Sequence, residues 1–420
     1  MRKPSSILLP AILGNILEYY DFTVYSVFSS VISRAFFPEG SQQKHILWTL
    51  IIFTIGVLAR PIGGIFFGFI GDRYGRRLAL TMAMSGMTLS TLLMGCMPTY
   101  EDMGIYAPAL LLGLRLLQGL SISGESVGTA IYILEHYRHV KPGFTAGLVN
   151  ASNLVGTLLA SLVGILAEQY PIAFAWRLAF LLGGLMGLAG FFLRLKIVET
   201  PVFKQLMEQK KTLKDPFRVV VRTAWKAMFV TFCVGSMASS IVYLVKSYTN
   251  VYYHTVLKLD NTIALSYLFY VSFISMLSMP LFGRLADRIG PFKTIVRASI
   301  ALCLLILPTL VYMTHFISIV HQIIGLTVLG MLSGVMGGVA YFFVLSLFKP
   351  EQKFSGASFS YNLGIALFGG STPPISHWLI TQTKLQFAPA FYIMLLAVLF
   401  LLSLYLMRST VNSLMKNATS

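Results

Sequence analysis

Charge is what this 420-residue chain has least of. Only 11% of its residues are Asp, Glu, Lys or Arg, where a soluble domain carries roughly 25%, and its mean hydropathy is +0.75. Those values exclude an ordinary water-soluble domain and leave a polytopic membrane protein. Acids are scarcer than bases, 15 against 32, for a net charge of +17. A nucleic-acid partner is not the reason for that surplus. The cations sit in short gaps between apolar runs, where topology signals belong. Cysteine is nearly absent: Cys96, Cys233 and Cys303 are isolated in apolar segments. They have no metal-ligand spacing, and an odd number gives no disulfide framework, so they read as small buried hydrophobes and no metal site is expected. No Ser–His or His/Cys/Asp constellation suits a membrane-embedded enzyme, and no glycine-rich nucleotide loop suits a primary pump. A cleavable signal peptide is not expected either. The apolar run after Met1-Arg2-Lys3 is too long and holds two acids, so it reads as a spanning helix.

What is present is a series of twelve apolar runs, near 8–33, 46–70, 79–97, 105–134, 143–168, 173–194, 224–252, 262–284, 293–313, 317–347, 355–380 and 387–407. Each is long enough to cross a hydrocarbon core. Pro373-Pro374 should break or kink the eleventh, and Pro280 and Pro308 should bend the eighth and ninth. With both termini placed in the cytoplasm, inner segments carry 24 Lys and Arg and outer ones 5, and three lie within spans. That asymmetry sets the orientation. The glycines of several runs fit close helix packing.

The longest polar stretch, Lys196 to Arg222, divides the runs six and six. This gives an N-terminal bundle over 1–195, a linker over 196–223 and a C-terminal bundle over 224–420. A repeat supports the division. Gly68-Phe-Ile-Gly-Asp72-Arg73-Tyr-Gly75-Arg76-Arg77 follows the second run, and Gly283-Arg-Leu-Ala-Asp287-Arg288-Ile-Gly290 follows the eighth. The shared pattern, G-x-x-x-D-R-x-G, suggests two related halves rocking about a midplane site. Asp72 is suited to capping or pairing at neighbouring helix ends, Gly68 to close approach and Gly75 to a tight turn. Arg73, Arg76, Arg77 and Arg288 serve as anchors or as parts of a latch that breaks when the halves move.

Charges at membrane depth cost a few kcal/mol even on lenient scales and rarely face lipid. Glu18 and Asp21 share one face of the first run, which Tyr25 extends. Asp21, Arg60 and Arg115 all reach the middle band of the bilayer by helical rise. A buried Arg stays charged and needs a carboxylate or a bound anion, so the two acids are its expected partners. Asp21 is the first choice for proton acceptor and Glu18 the second, with Arg115 coupling them to substrate. The alternative is a static ion-pair set holding the first, second and fourth runs together. Lys246, in Tyr243-Leu-Val-Lys246-Ser-Tyr248-Thr249-Asn250, either favours a substrate carboxylate or snorkels to the outer headgroups. Tyr25, Tyr248, Tyr361 and Asn362 can hydrogen-bond a small polar metabolite. Glu125 reads as part of the inner gate.

The chain resembles the major facilitator superfamily, and within it the metabolite:proton symporter family. The motifs that carry the likeness are Gly14-Asn15-Ile-Leu-Glu18-Tyr19-Tyr20-Asp21-Phe22-Thr-Val-Tyr25, Arg60-Pro61-Ile-Gly63-Gly64, Arg115-Leu-Leu-Gln118-Gly119-Leu-Ser-Ile-Ser-Gly124-Glu125, Trp176-Arg177, Tyr361-Asn362 and Phe368-Gly369-Gly370-Ser-Thr-Pro373. They run from the first span to the eleventh. Tyr19 stands where the family usually has Trp, Ser26 and Ser123 replace common glycines, and Pro291 stands where the first half has Arg76. The coiled-coil extension of osmosensing members is not expected after Ser420. The resemblance implies an all-α membrane fold of two pseudo-symmetric six-helix halves, with Arg60, Arg115 and Gln118 among the substrate contacts. Asp21 and Arg115 resemble an acid–arginine pair of proton-coupled sugar transporters. The implied activity is proton-coupled uptake of an organic acid or a proline- or betaine-like zwitterion, with an exporter or antiporter as the alternative. It implies no cofactor beyond the proton gradient, partners limited to substrate, protons and lipid, a monomer, and a bacterial inner-membrane location.

Overall fold

The computed structural model describes residues 5–37, 52, 54–137, 141–170, 174–249, 252–253, 257–408 and 411, without the side chains of residues 5–8, 168, 247, 248 and 261. Its helices follow the apolar runs. They are α1 (Ser5–Val27), α2 (Thr54–Arg73), α3 (Arg76–Cys96), α4 (Tyr106–His136), α5 (Pro142–Gln169), α6 (Ala175–Leu195), α7 (Trp225–Tyr243), α8 (Asn261–Ile289), α9 (Pro291–His315), α10 (Ile319–Leu345), α11 (Lys353–Gly364, resumed as Thr372–Thr383) and α12 (Pro389–Leu406). Among the described residues no strand occurs, and ten helices are long and apolar enough to cross a membrane. The broken α11 and the polar-faced α1 supply the other two spans. Large apolar side chains such as Leu185, Leu281, Leu304 and Leu395 remain exposed on the outside. In a bilayer that surface meets hydrocarbon rather than water.

Several elements differ from the sequence expectation. The first span is interrupted at Phe28 and resumes as Ser29–Phe36. The polar stretch after α6 forms two short helices, Pro201–Glu208 and Pro216–Thr223. Each begins with Pro at its first position, and its N-cap side chain, Thr200 or Asp215, accepts from a first-turn N–H. This is a helix-start signature, since Pro lacks an N–H that would go unpaired there anyway. The break in α11 comes just before its proline pair, where a π-turn, Ile365–Gly369, precedes the restart at Thr372. A second π-turn, Leu244–Tyr248, extends α7 and contains Lys246. Pro280 and Pro308 lie inside α8 and α9, where the sequence placed them.

The helices pack into two groups. Helix α1 lies on α5, α6 and α4, and α3 lies on α4 and α6; in the second group α8 and α9 flank α10, and α7 lies on α11 and α12. The groups meet mainly along α5 with α8 and α2 with α11. Glycines set how close these pairs come. A Cβ at Gly68 would lie 2.6 Å from the Ser355 Cα, and one at Gly283 2.2 Å from the Gly143 carbonyl oxygen. Larger side chains would wedge both pairs apart.

Candidate functional site

Between the two groups lies a cavity with charged and phenolic side chains in its walls. One lobe is lined by Glu18, Tyr19 and Phe22 of α1, Arg60 of α2, Tyr243 of α7 and Lys246 of the α7 extension. A neighbouring lobe shares Tyr19, Arg60, Tyr243 and Lys246, and adds Asn150 and Asn153 of α5, Ser239 of α7, Tyr341 of α10 and Tyr361 of α11. The helical repeat explains the wall from α1: Glu18, Tyr19 and Phe22 stand at i, i+1 and i+4, on one side of the cylinder. Glu18 is 1% exposed, and its Oε1 lies 3.8 Å from Arg60 Nη1. Neither Glu18 oxygen has a hydrogen-bond partner, nor does Arg60 Nε. Lys246 turns inward and rests its ammonium 3.6 Å from the centre of the Tyr19 ring. It is 8% exposed, so it does not reach the outer surface as a snorkelling lysine would.

Asp21, Tyr25, Arg115 and Gln118 do not line this cavity, contrary to the expectation that acids and arginines meet in one wet centre. They pack behind α1, against α3 and α4, and all four are buried. The direct Asp21–Arg115 ion pair does not form. The Arg115 guanidinium lies over the Tyr25 ring at 3.6 Å, and its Nη1 donates to Gln118 Oε1. Gln118 Nε2 lies 3.4 Å from Thr91 Oγ1, which donates to Asp21 Oδ2 at 2.8 Å. Arginine and aspartate are therefore linked through a glutamine and a threonine. The cause is local: the guanidinium finds both an aromatic face and an acceptor three residues along its own helix.

The other candidates divide similarly. Tyr361 faces the cavity and packs against Tyr341, with ring centres 5.3 Å apart. Asn362 turns away and donates to Ser358 O of its own helix at 2.9 Å. Tyr248 lies in the π-turn, and its side chain is outside the described residues. Glu125 pairs with Arg194 in a fully buried ion pair and accepts from Thr129 Oγ1 at 3.0 Å. Arg194 is buried near the end of α6, donating to the carbonyls of Pro10, Ala11 and Leu80.

The repeated motif sits at the end of the bundle where α2 and α8 finish. Asp72 accepts from the N–H groups of Phe354 and Ser355 at 3.1 and 2.8 Å, which start α11 in the other group. Asp287 accepts from Gly143 and Phe144 at 2.6 and 2.9 Å, which start α5. Each acid thus supplies a carboxylate to the positive end of a helix across the interface. Gly75 and Gly290 close the two motifs at φ of 125° and 90°, a region that favours residues without a Cβ. The copies differ at the next position. Arg76 is fully buried, 3.3 Å from both Asp72 and Glu135, and donates to Pro350 O at 2.6 Å. Pro291 in the second copy offers no such cation. Arg73 and Arg77 bond the carbonyls of Lys214 and Leu195 at 3.0 and 2.9 Å, and Arg288 is exposed.

Sequence reasoning did not select Tyr19, Asn150, Asn153, Tyr341, Thr91, Glu135, Arg194 or Glu199 as functional candidates. Asn150 and Asn153 had a usable signal, two amides three apart within an apolar run. Glu199 had a weaker one, Glu-Thr-Pro before a short helix; its carboxylate caps α3 through the N–H groups of Arg76 and Arg77, both at 3.1 Å. Thr91 and Tyr341 had none.

Two helical groups joined at one end by reciprocal caps, with a charged cavity between them, have the architecture of a membrane transporter. The sequence model of the Major Facilitator Superfamily matches residues 11–371, and the chain belongs to that superfamily. The glycine betaine/proline/ectoine/pipecolic acid transporter OusA of Dickeya dadantii is 32% identical, over 97% of this chain and 84% of its own. A putative proline/betaine transporter of Staphylococcus aureus is 31% identical, over 99% and 91%. Among solved structures, the proton:xylose symporter XylE superposes with a TM-score of 0.75 at 17% identity, over 97% of this chain and 95% of its own. The chain is a secondary transporter and not an enzyme.

Proposed function

We propose that this protein takes up a small charged or zwitterionic metabolite, an organic acid or a proline- or betaine-like compound, by proton symport with alternating access. The observation that supports this reading best is the exposure of a buried carboxylate, Glu18, to the same cavity as two cations, Arg60 and Lys246. A carboxylate facing an arginine 3.8 Å away holds its charge with that partner's help. If substrate draws Arg60 away, the carboxylate's ionised form loses support and a proton binds. Proton and substrate are then coupled at one place. Glu18 takes the substrate-facing part of this scheme. Asp21, linked through Thr91 and Gln118 to Arg115, takes a second part, responding to helix movement rather than to substrate contact.

The relatives' names, which mention proline and betaine, support a metabolite of this size. The same reading places both termini in the cytoplasm of a bacterial inner membrane, with residues 1–195 and 224–420 as the moving halves and 196–223 as their linker. The capped end then faces the cytoplasm, and Asp72, Arg76, Glu135 and Asp287 form the inner gate. The protein works as a monomer, with the proton gradient as its driving force and no cofactor. The test is transport by proteoliposomes with an alkaline lumen. Accumulation above the outside concentration, abolished by a protonophore, is expected; accumulation indifferent to the protonophore refutes proton coupling.

A further inference from the structure

Resting on that transport reading, we infer that the substrate of this chain is a net-negative carboxylate, clamped between Arg60 of one half and Lys246 of the other. The charge inventory of the cavity carries the inference. The ionisable side chains lining it are Glu18, Arg60, Lys246 and the phenols Tyr19, Tyr243, Tyr341 and Tyr361. Phenols are uncharged near neutral pH. Of the other buried charges of this half, Glu125 pairs with Arg194, and Asp21 and Arg115 lie outside the cavity, joined through Thr91 and Gln118. Among the described residues the cavity therefore holds two cations and at most one anion.

These charges are poorly satisfied as they stand. Among the described residues Lys246 makes no ion pair and no hydrogen bond, and its ammonium has the face of Tyr19. Arg60 Nε and both Glu18 oxygens lack hydrogen-bond partners. Buried charges are tolerated when paired and hydrogen-bonded, and one carboxylate between Arg60 and Lys246 would meet that requirement. A monoanion neutralises the cavity while Glu18 is ionised, and a dianion does so once Glu18 takes a proton. A zwitterion leaves a surplus of one or two positive charges. The inferred specificity thus departs from the zwitterions in the relatives' names, and the second cavity cation, Lys246, is the cause.

The test is calorimetric titration of the purified full-length protein with succinate, lactate, proline and glycine betaine. Binding of succinate or lactate in preference to both zwitterions is expected. In Lys246→Met the anion's Kd should rise about tenfold or more, the scale of a lost charge-assisted hydrogen bond, and Lys246→Arg should restore most of it. The rescue separates a charge requirement from misfolding. Tighter binding of proline or betaine, anion affinity unchanged in Lys246→Met, or no binding of either anion overturns the inference. Proteoliposomes separate the two claims. Anion binding without gradient-driven accumulation defeats the transport reading and leaves the clamp standing; gradient-driven accumulation of betaine alone does the reverse.

Discussion

Glu18 and Asp21 are three residues apart on α1, and that offset of about 60° around the helix gives them different neighbours. Glu18 faces the cavity with Arg60 and Lys246, while Asp21 faces α3 and receives the Thr91 hydroxyl. Their substitutions should therefore differ in kind. Glu18→Gln should abolish accumulation driven by a pH gradient yet retain exchange between preloaded and external substrate, measured with labelled compound in both modes. Thr91→Val removes the donor that serves Asp21 and the acceptor that serves Gln118. Leaving buried polar groups unpaired costs about 1–3 kcal/mol, so thermal unfolding should shift downward while substrate affinity, read by titration, stays close to wild type. A large loss of affinity in Thr91→Val would place that cluster in the cavity after all. Both acids and both arginines were legible as sequence, because a charge inside an apolar run stands out. Their grouping was not. Helical spacing tells which side of α1 a residue occupies, but not that Arg115 would turn to Tyr25 and Gln118 rather than cross to Asp21.

At the scale of elements, the G-x-x-x-D-R-x-G repeat acts twice, each time joining the end of one helix to the start of a helix in the other group. Its glycine allows α2 to meet α11 and α8 to meet α5, its acid caps the helix it meets, and its last glycine turns the chain. The residues were readable; their targets, the first turns of α11 and α5, lie more than 140 positions away and had no sequence signature. The two copies should differ in strength, because Asp72 has Arg76 four residues on, where Asp287 has Pro291. Asp72→Asn should loosen the capped end more than Asp287→Asn, each cap being worth about 1 kcal/mol before any charge contribution. Spin labels replacing the exposed Arg73 and Lys349 would report this as a shift toward longer distances, larger in Asp72→Asn. Equal distributions in both variants would mean the ion pair with Arg76 adds nothing to the latch. The short helices after α6 show what a polarity count overlooks: Thr200-Pro201 and Asp215-Pro216 are start signals that a Lys-rich stretch conceals.

The whole molecule is written most plainly in the sequence. Twelve apolar runs, a six-and-six division and a strong cation asymmetry describe a two-bundle membrane protein before any coordinate is known, since a helix long enough to cross a bilayer satisfies its own backbone there. The same asymmetry makes an expectation about orientation. A cysteine replacing Lys210, in the segment between α6 and α7, should react with an impermeant maleimide from the cytoplasmic side only; labelling of intact cells from outside would invert the topology. What composition cannot give is the inside of the bundle, where three ionisable groups from α1, α2 and the α7 extension converge although they are as much as 228 positions apart. The central claim is that this convergence ties proton movement to substrate movement, and it is tested most directly by following both in the same proteoliposomes, with an internal pH indicator and labelled substrate. The account predicts that substrate entry acidifies the lumen, that a protonophore collapses the accumulated pool, and that Glu18→Gln removes the acidification while exchange continues. Substrate accumulating with no accompanying proton, or a Glu18→Gln protein that still acidifies the lumen as wild type does, would contradict it.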